Sequence, residues 1–314
     1  MRQTHSFFRA THKSALLIAV AALAACGLDS LPDDPQVGPI EGEGTFGSFV
    51  WSGGRQRTYE IFIPPDEGGT LPLLIFYHGL ASTGAAFQNI TRLDAIALRE
   101  RFVVVYPNGW GTEGSWGVQS GFTIADQLLI NDVLFASTLI DHISEELPID
   151  QNRVYVAGFS QGGMMTQTIA CLLSKRIAAV LTVAATPHQT FTQQCIPERA
   201  PFPMMLIIGT EDPSFPLVGS PFTLSLQETV DFWARRFNCD LNPLVENLPD
   251  TVADGTTVVR DTYSGCDLIL YTIEGGGGTW PGSSVAFDPD LGRISREINA
   301  SEVIVEFMLR HTKL

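Results

Sequence analysis

The stretch RVYVAGFSQGGMM, Arg153 to Met165, decides the fold. Its first half runs β-branched and aromatic residues together without polar alternation, as a strand covered on both faces requires. Its second half opens the helical pattern GGMMTQTIACLLSK. Between them lies Gly158-Phe-Ser-Gln-Gly162, a Gly-x-Ser-x-Gly pentapeptide in the strand-turn-helix context where a serine is held on a strained turn above a sheet edge. The flanking glycines are steric requirements, because neighbouring backbone must pass close to such a turn. Ser160 is therefore the candidate nucleophile. The N–H of Gln161, at the start of the helix, is a candidate oxyanion donor.

The same alternation extends in both directions. TYEIFIPP, LPLLIFYHG, FVVVYPNG, IAAVLTVAAT, FPMMLIIGTED and CDLILYTIEG read as strands. AAFQNITRLDAIALRERF, NDVLFASTLIDHISEEL, LSLQETVDFWARRF and ASEVIVEFMLRH carry apolar residues at helical spacing. This order predicts an α/β fold with a mostly parallel central sheet and helices on both faces, spanning residues 45–314.

Further signals fall at strand ends. YHG, Tyr77 to Gly79, closes an early strand, so backbone N–H groups near Leu80 are candidates for the second half of an oxyanion hole, with His78 read as a packed residue shaping the turn. GTED places Asp212 where a triad acid would orient an imidazole. With the order Ser, Asp, His, the base should follow CDLILYTIEG.

Here the chain resembles the secreted polyhydroxybutyrate depolymerase and feruloyl esterase group of α/β-hydrolases. The resemblance rests on LLIFYHG, NDVLFASTLID, RVYVAGFSQGGMM, LIIGTEDPSFPL and LYTIEGGGGTWPG. It implies carboxylic ester hydrolysis through an acyl-enzyme on Ser160, with no cofactor. In that group a histidine directly before Thr-Trp-Pro-Gly is the catalytic base. Glu274 to Gly277 and Thr279 to Gly282 fit the pattern, but position 278 is glycine.

A serine hydroxyl is a poor nucleophile without a base. Three explanations stay open: a surrogate base, with His188 in ATPHQTF the nearest candidate by chain order; a hydrolase fold retained for binding alone; or a variant of a competent enzyme. The last two predict space of about imidazole size beside Ser160. Trp280 and Trp116, in glycine-bearing loops, are expected either to wall an acyl pocket or to be packing residues.

The ends and the composition set the compartment. Arg2, Arg9 and Lys13 precede the apolar run Ser14 to Cys26, the layout of a signal peptide over residues 1–25. LAAC, Leu23 to Cys26, resembles a bacterial lipobox, which implies a lipid anchor on Cys26 and, with Gly27 following, the outer membrane. Residues 26–44 are acidic and rich in Pro and Gly, as suits a flexible tether. A formal net charge of −15 argues against nucleic acid as a partner. Cys171, Cys195, Cys239 and Cys266 remain, an even set without metal-ligand spacing. They predict two disulfides, with Cys171–Cys195 and Cys239–Cys266 preferred among three connectivities.

Overall fold

The computed structural model describes residues 38, 40, 42–198 and 201–313. The expected signal peptide, the Cys26 anchor and most of the tether lie outside the described residues.

Sequence hydrophobicity builds the sheet from its middle. Leu71–Tyr77 (β3), Val103–Pro107 (β4), Ala179–Val183 (β6) and Met204–Gly209 (β7) are buried at every position. So is the second half of Ile149–Phe159 (β5). Strands with both faces covered need apolar residues throughout, and these pair in parallel in the order β4-β3-β5-β6-β7. Leu268–Glu274 (β10) joins β7 in parallel.

The flanks are antiparallel. Gly44–Ser52 (β1) and Arg55–Ile63 (β2) form a hairpin across Gly53-Gly54, and β2 pairs with β4. Thr257–Tyr263 (β9) pairs with β10, and the wholly exposed Leu244–Asn247 (β8) closes the far edge. The described residues thus form a ten-stranded sheet.

Alternate residues of β3 feed two cores. Leu73, Ile75 and Tyr77 join the side covered by helices Asp132–Glu146, Gln161–Leu172 and Leu226–Phe237. Leu74 and Phe76 join the side covered by Gly84–Thr91, Leu93–Glu100 and Ala300–Leu309. The single helical pattern expected over residues 85–102 is broken in two, because Arg92 takes a left-handed conformation, φ 55°, and its N–H caps the Gln88 carbonyl. Both preferred disulfides are present, Cys171–Cys195 and Cys239–Cys266.

Register gathers the site. Tyr77 pairs with Gly158, Phe159 with Val183, Val183 with Ile207 and Gly209 with Ile273. The segments carrying His78, Ser160, Asp212 and Gly278 therefore all leave the sheet at one edge, as ligand sites of open α/β sheets do.

Candidate active site

Ser160 joins β5 to its helix with φ 54° and ψ −124°, a strained conformation for an L-residue. Its N–H donates to the Val183 carbonyl at 2.9 Å, which fixes the turn from the next strand. A Cβ on Gly158 would collide with the Gly162 backbone, and one on Gly162 with the carbonyls of Tyr77 and His78. The pentapeptide is thus dictated by contact between turn, helix and neighbouring strand.

The oxyanion side is built on His78. Gly109 N–H donates to its Nε2 at 2.9 Å, so the ring proton resides on Nδ1, which donates to the Gly79 carbonyl at 2.7 Å. Burial holds this imidazole neutral, its pKa lowered to about 4. The Trp116 indole donates to the His78 carbonyl at 2.8 Å, and the Trp116 N–H donates to Gln161 Oε1 at 2.9 Å. Together these bonds tie the turn after β3 to the start of the Ser160 helix. Ala81 N–H is taken by the Glu113 carbonyl, while Leu80 N–H has no partner among the described residues.

Asp212, three residues beyond β7, is 3% exposed. Its Oδ1 accepts the N–H groups of Ser214 at 2.8 Å and Phe215 at 3.1 Å, whereas Oδ2 is buried with no hydrogen-bond partner among the described residues. Burial pushes its carboxyl above the usual carboxylate range, against the pull of those two N–H donors.

The glycine run is not uniform in its reasons. Gly275 has φ 71°, which favours glycine, and a Cβ on Gly277 would strike the Leu291 carbonyl. Gly278 has no positive φ; the obstacle there is a side chain. A Cβ on Gly278 would lie 2.7 Å from Asp212 Oδ1 and 2.9 Å from Oδ2.

Ser160, Gln161, Leu80, Asp212 and Gly278 line one cavity of about 830 Å³. No histidine lines it among the described residues. His188 is placed elsewhere: its ring lies in a small crevice beside Cys171 and Cys195, 3.0 Å from Thr190 Oγ1 and edge-on to Phe191. His142 contacts the Tyr59 hydroxyl, and His311 the Phe307 carbonyl.

The tryptophans do not wall the cavity either. Trp116 and Trp280 are at most 1% exposed, the first packed on Tyr77 and His78, the second on Phe76 with its indole donating to Ser301 Oγ. Large indoles with their N–H bonded internally are core pieces here. The aromatic walls are Phe87, Phe122, Phe159, Phe215, Phe222 and Phe287. Sequence reasoning missed them, although Phe122 in SGFT and Phe222 in SPFT stand isolated among turn-forming residues.

A strained serine at a helix N-terminus, a nearby free N–H, a buried carboxylate and an apolar cavity are the parts of acyl-transfer chemistry. Residues 61–229 match the model of the phospholipase/carboxylesterase family. This chain belongs to the phospholipase/carboxylesterase family. The family match covers Ser160 and Asp212 and ends before Gly278. NocK of Nocardia uniformis subsp. tsuyamanensis, an esterase by name, is 27% identical over 296 residues, 86% of this chain and 84% of that protein. Feruloyl esterase B of Piromyces equi is 29% identical over 219 residues, 66% of this chain but 39% of its own length. Among solved structures, acetyl xylan esterase from Aspergillus awamori superposes with a TM-score of 0.56 at 18% identity, over 71% of this chain and 89% of that one. At that identity the superposition shows a shared α/β fold.

Proposed function

We propose that this phospholipase/carboxylesterase family chain is a secreted carboxylic ester hydrolase that acts through Ser160 on feruloyl or acetyl esters or on short polyester oligomers, with turnover held low by Gly278. The observation that carries the reading is the cavity shared by Ser160, Asp212 and Gly278. Ser160 attacks the ester carbonyl, and the N–H groups of Leu80 and Gln161 receive the developing oxyanion. Asp212 stands where it would orient an imidazole.

Removing serine or histidine from such a triad costs on the order of 10⁶ in kcat, while oxyanion donors and binding retain about 10³ to 10⁴ over water. A slow hydrolase is the expected result. The feruloyl and acetyl substrates are supported by the relatives' names, and the apolar phenylalanine walls suit an aromatic or short aliphatic acyl group. Attachment to a membrane runs through lipid on Cys26 in this reading; no helix among the described residues is long and apolar enough to cross one.

A second reading, a surface lipoprotein that binds an ester or polysaccharide ligand without turnover, is favoured by the Asp212 carboxylate, which occupies the space a side chain at 278 would need. Initial rates of p-nitrophenyl butyrate hydrolysis separate the two. The hydrolase reading expects a slow rate abolished by Ser160→Ala. A rate indifferent to that substitution would leave the binding reading.

A further inference from the structure

The surface beside the turn after β3 carries a second concavity. A groove of about 550 Å³, a size within the range of ligand pockets, is formed by β2, the turn at Ser82 and Thr83, and the loop 108–114. Ser82 lines this groove and also lines the cavity of Ser160, so the two spaces adjoin at that residue. The walls are fixed by bonds within the chain. Trp110 and Ser115 exchange both backbone hydrogen bonds, at 2.8 and 3.0 Å, and Ala81 N–H donates to the Glu113 carbonyl. Asn108 Nδ2 donates to Thr58 Oγ1 at 3.1 Å, while its Oδ1 accepts the Gly84 N–H at 2.8 Å. The Arg55 guanidinium lies 5.0 Å from the centre of the Trp110 ring and helps to hold that ring in place.

The chemistry of the groove differs from that of the cavity. Gln56, Glu60 and Trp110 line it, and the Gln56 amide, the Glu60 carboxylate and the Trp110 indole N–H have no hydrogen-bond partner among the described residues. An apolar arm laid there would strip these groups of water and return no hydrogen bond, which is costly. An anion is disfavoured too, because Arg57, the cation among the lining residues, is paired with Asp132 at 2.6 Å, and Glu60 adds negative charge. The ligand that fits is neutral, donates and accepts hydrogen bonds round its rim, and has a weakly polar surface to set beside an indole, as a sugar ring does. We propose that this groove is a subsite for a neutral sugar unit, with Gln56, Glu60 and Trp110 as its hydrogen-bonding residues. Joined to the cavity at Ser82, it holds the alcohol side of a sugar ester while the acyl group lies among the phenylalanines. That placement rests on the hydrolase reading above and selects acylated sugars over polyester oligomers; the sugar site itself needs no turnover.

Calorimetric titration of Ser160→Ala with xylotriose and with cellotriose tests the site directly. The expected result is saturable binding of at least one of them, weakened about fivefold by Gln56→Ala and by Trp110→Phe in that background, the loss one hydrogen bond carries. Phenylalanine keeps a ring for Arg55, and Gln56 is exposed, so both variants should melt at the temperature of their parent. Trigalacturonate and a hydroxybutyrate trimer, the acidic and the polyester rivals, should not displace the neutral sugar. In the catalytic background, the ratio of kcat/KM for acetylated xylotriose to that for p-nitrophenyl acetate should fall by the same factor in both variants, which a general loosening of the fold would not produce.

No saturable binding of either neutral sugar, binding that neither substitution weakens, or tighter binding of trigalacturonate or the hydroxybutyrate trimer overturns the proposal. The hydrolase reading is judged apart, by the effect of Ser160→Ala alone on p-nitrophenyl butyrate hydrolysis. A Ser160-dependent rate without sugar binding keeps that reading and removes the subsite. Sugar binding without a Ser160-dependent rate removes the catalytic reading and leaves the groove as a sugar site.

Discussion

The Asp212 carboxylate stands where a side chain on residue 278 would begin: a Cβ there would be 2.7 Å from Oδ1 and 2.8 Å from Cγ. Contacts this short force one partner to move, and Asp212 is held by the N–H groups of Ser214 and Phe215. Gly278→Ala should therefore lower stability by about 1–3 kcal/mol, as overpacking of a tight site does. Most of that loss should vanish in an Asp212→Ala background, since the two sites share the contact. Thermal unfolding of the four proteins in this cycle checks it; equal losses in both backgrounds would disprove the steric reading.

The same carboxylate should make stability depend on pH. Burial raises its pKa, so the folded chain holds the proton at pH values where the unfolded chain has released it. This contribution therefore weakens as pH climbs above the ordinary carboxylate range, about pH 4. Asparagine keeps an oxygen for Ser214 and Phe215 and never ionises. Asp212→Asn should thus be the more stable protein at about pH 8, with its advantage shrinking toward pH 4. Urea midpoints across that range measure the gap, and a gap that widened on acidification would contradict the assignment.

Ser160 carries backbone strain that its chemistry requires. Its φ of 54° is unfavourable for a residue with a Cβ and open to glycine. Ser160→Gly should unfold at a higher temperature than Ser160→Ala, by about 1 kcal/mol of relieved strain, despite glycine's larger chain entropy when unfolded. Both variants remove the hydroxyl, so the comparison isolates the backbone term.

His78 supplies an opposite dependence. Its imidazole is buried neutral with a pKa of about 4, against an ordinary value of 6.5. Above pH 6.5 neither state is protonated and its contribution is whole. As pH falls toward 4 the unfolded chain protonates first, and about 3 kcal/mol of stability is lost. His78→Gln should be less stable at about pH 8, because the bonds to Gly79 and Gly109 are disturbed, yet show a shallower fall between pH 6.5 and 4. Parallel profiles would show that His78 does not titrate in this way.

What the sequence made legible was local or fully buried. The turn at Ser160 was readable because Gly158 and Gly162 are demanded by neighbours a few residues away and by one adjacent strand. β3, β4, β6 and β7 were readable because nothing polar interrupts them. The exposed edge strand β8 has no such signal, with all of Leu244–Asn247 exposed. β1 carries two glycines and is mostly exposed or half-buried, which leaves it a weak strand signal. The break at Arg92 depends on one left-handed residue, which a continuous apolar period conceals. Chain order suggested His188, but the path of its loop carries the ring to the Cys171–Cys195 crevice. The contact of Asp212 with Gly278 joins loops 66 positions apart, and no spacing rule anticipates it.

Phe122 and Phe222 meet across the cavity mouth, their ring centres 5.6 Å apart, and they come from different loops. Each is more than a third exposed, and apolar surface left open at a cavity is what a bound acyl chain would cover. A methylene buried against such walls contributes about 0.8 kcal/mol, a factor of roughly four in affinity. Binding of p-nitrophenyl acetate, butyrate and octanoate to Ser160→Ala, measured by calorimetry, should tighten with chain length. Phe222→Ala in that background should flatten this trend while leaving acetate nearly unchanged, since a longer chain has more apolar surface to set against these walls. An equal loss for all three esters would place Phe222 in the structure of its loop and remove it from acyl recognition.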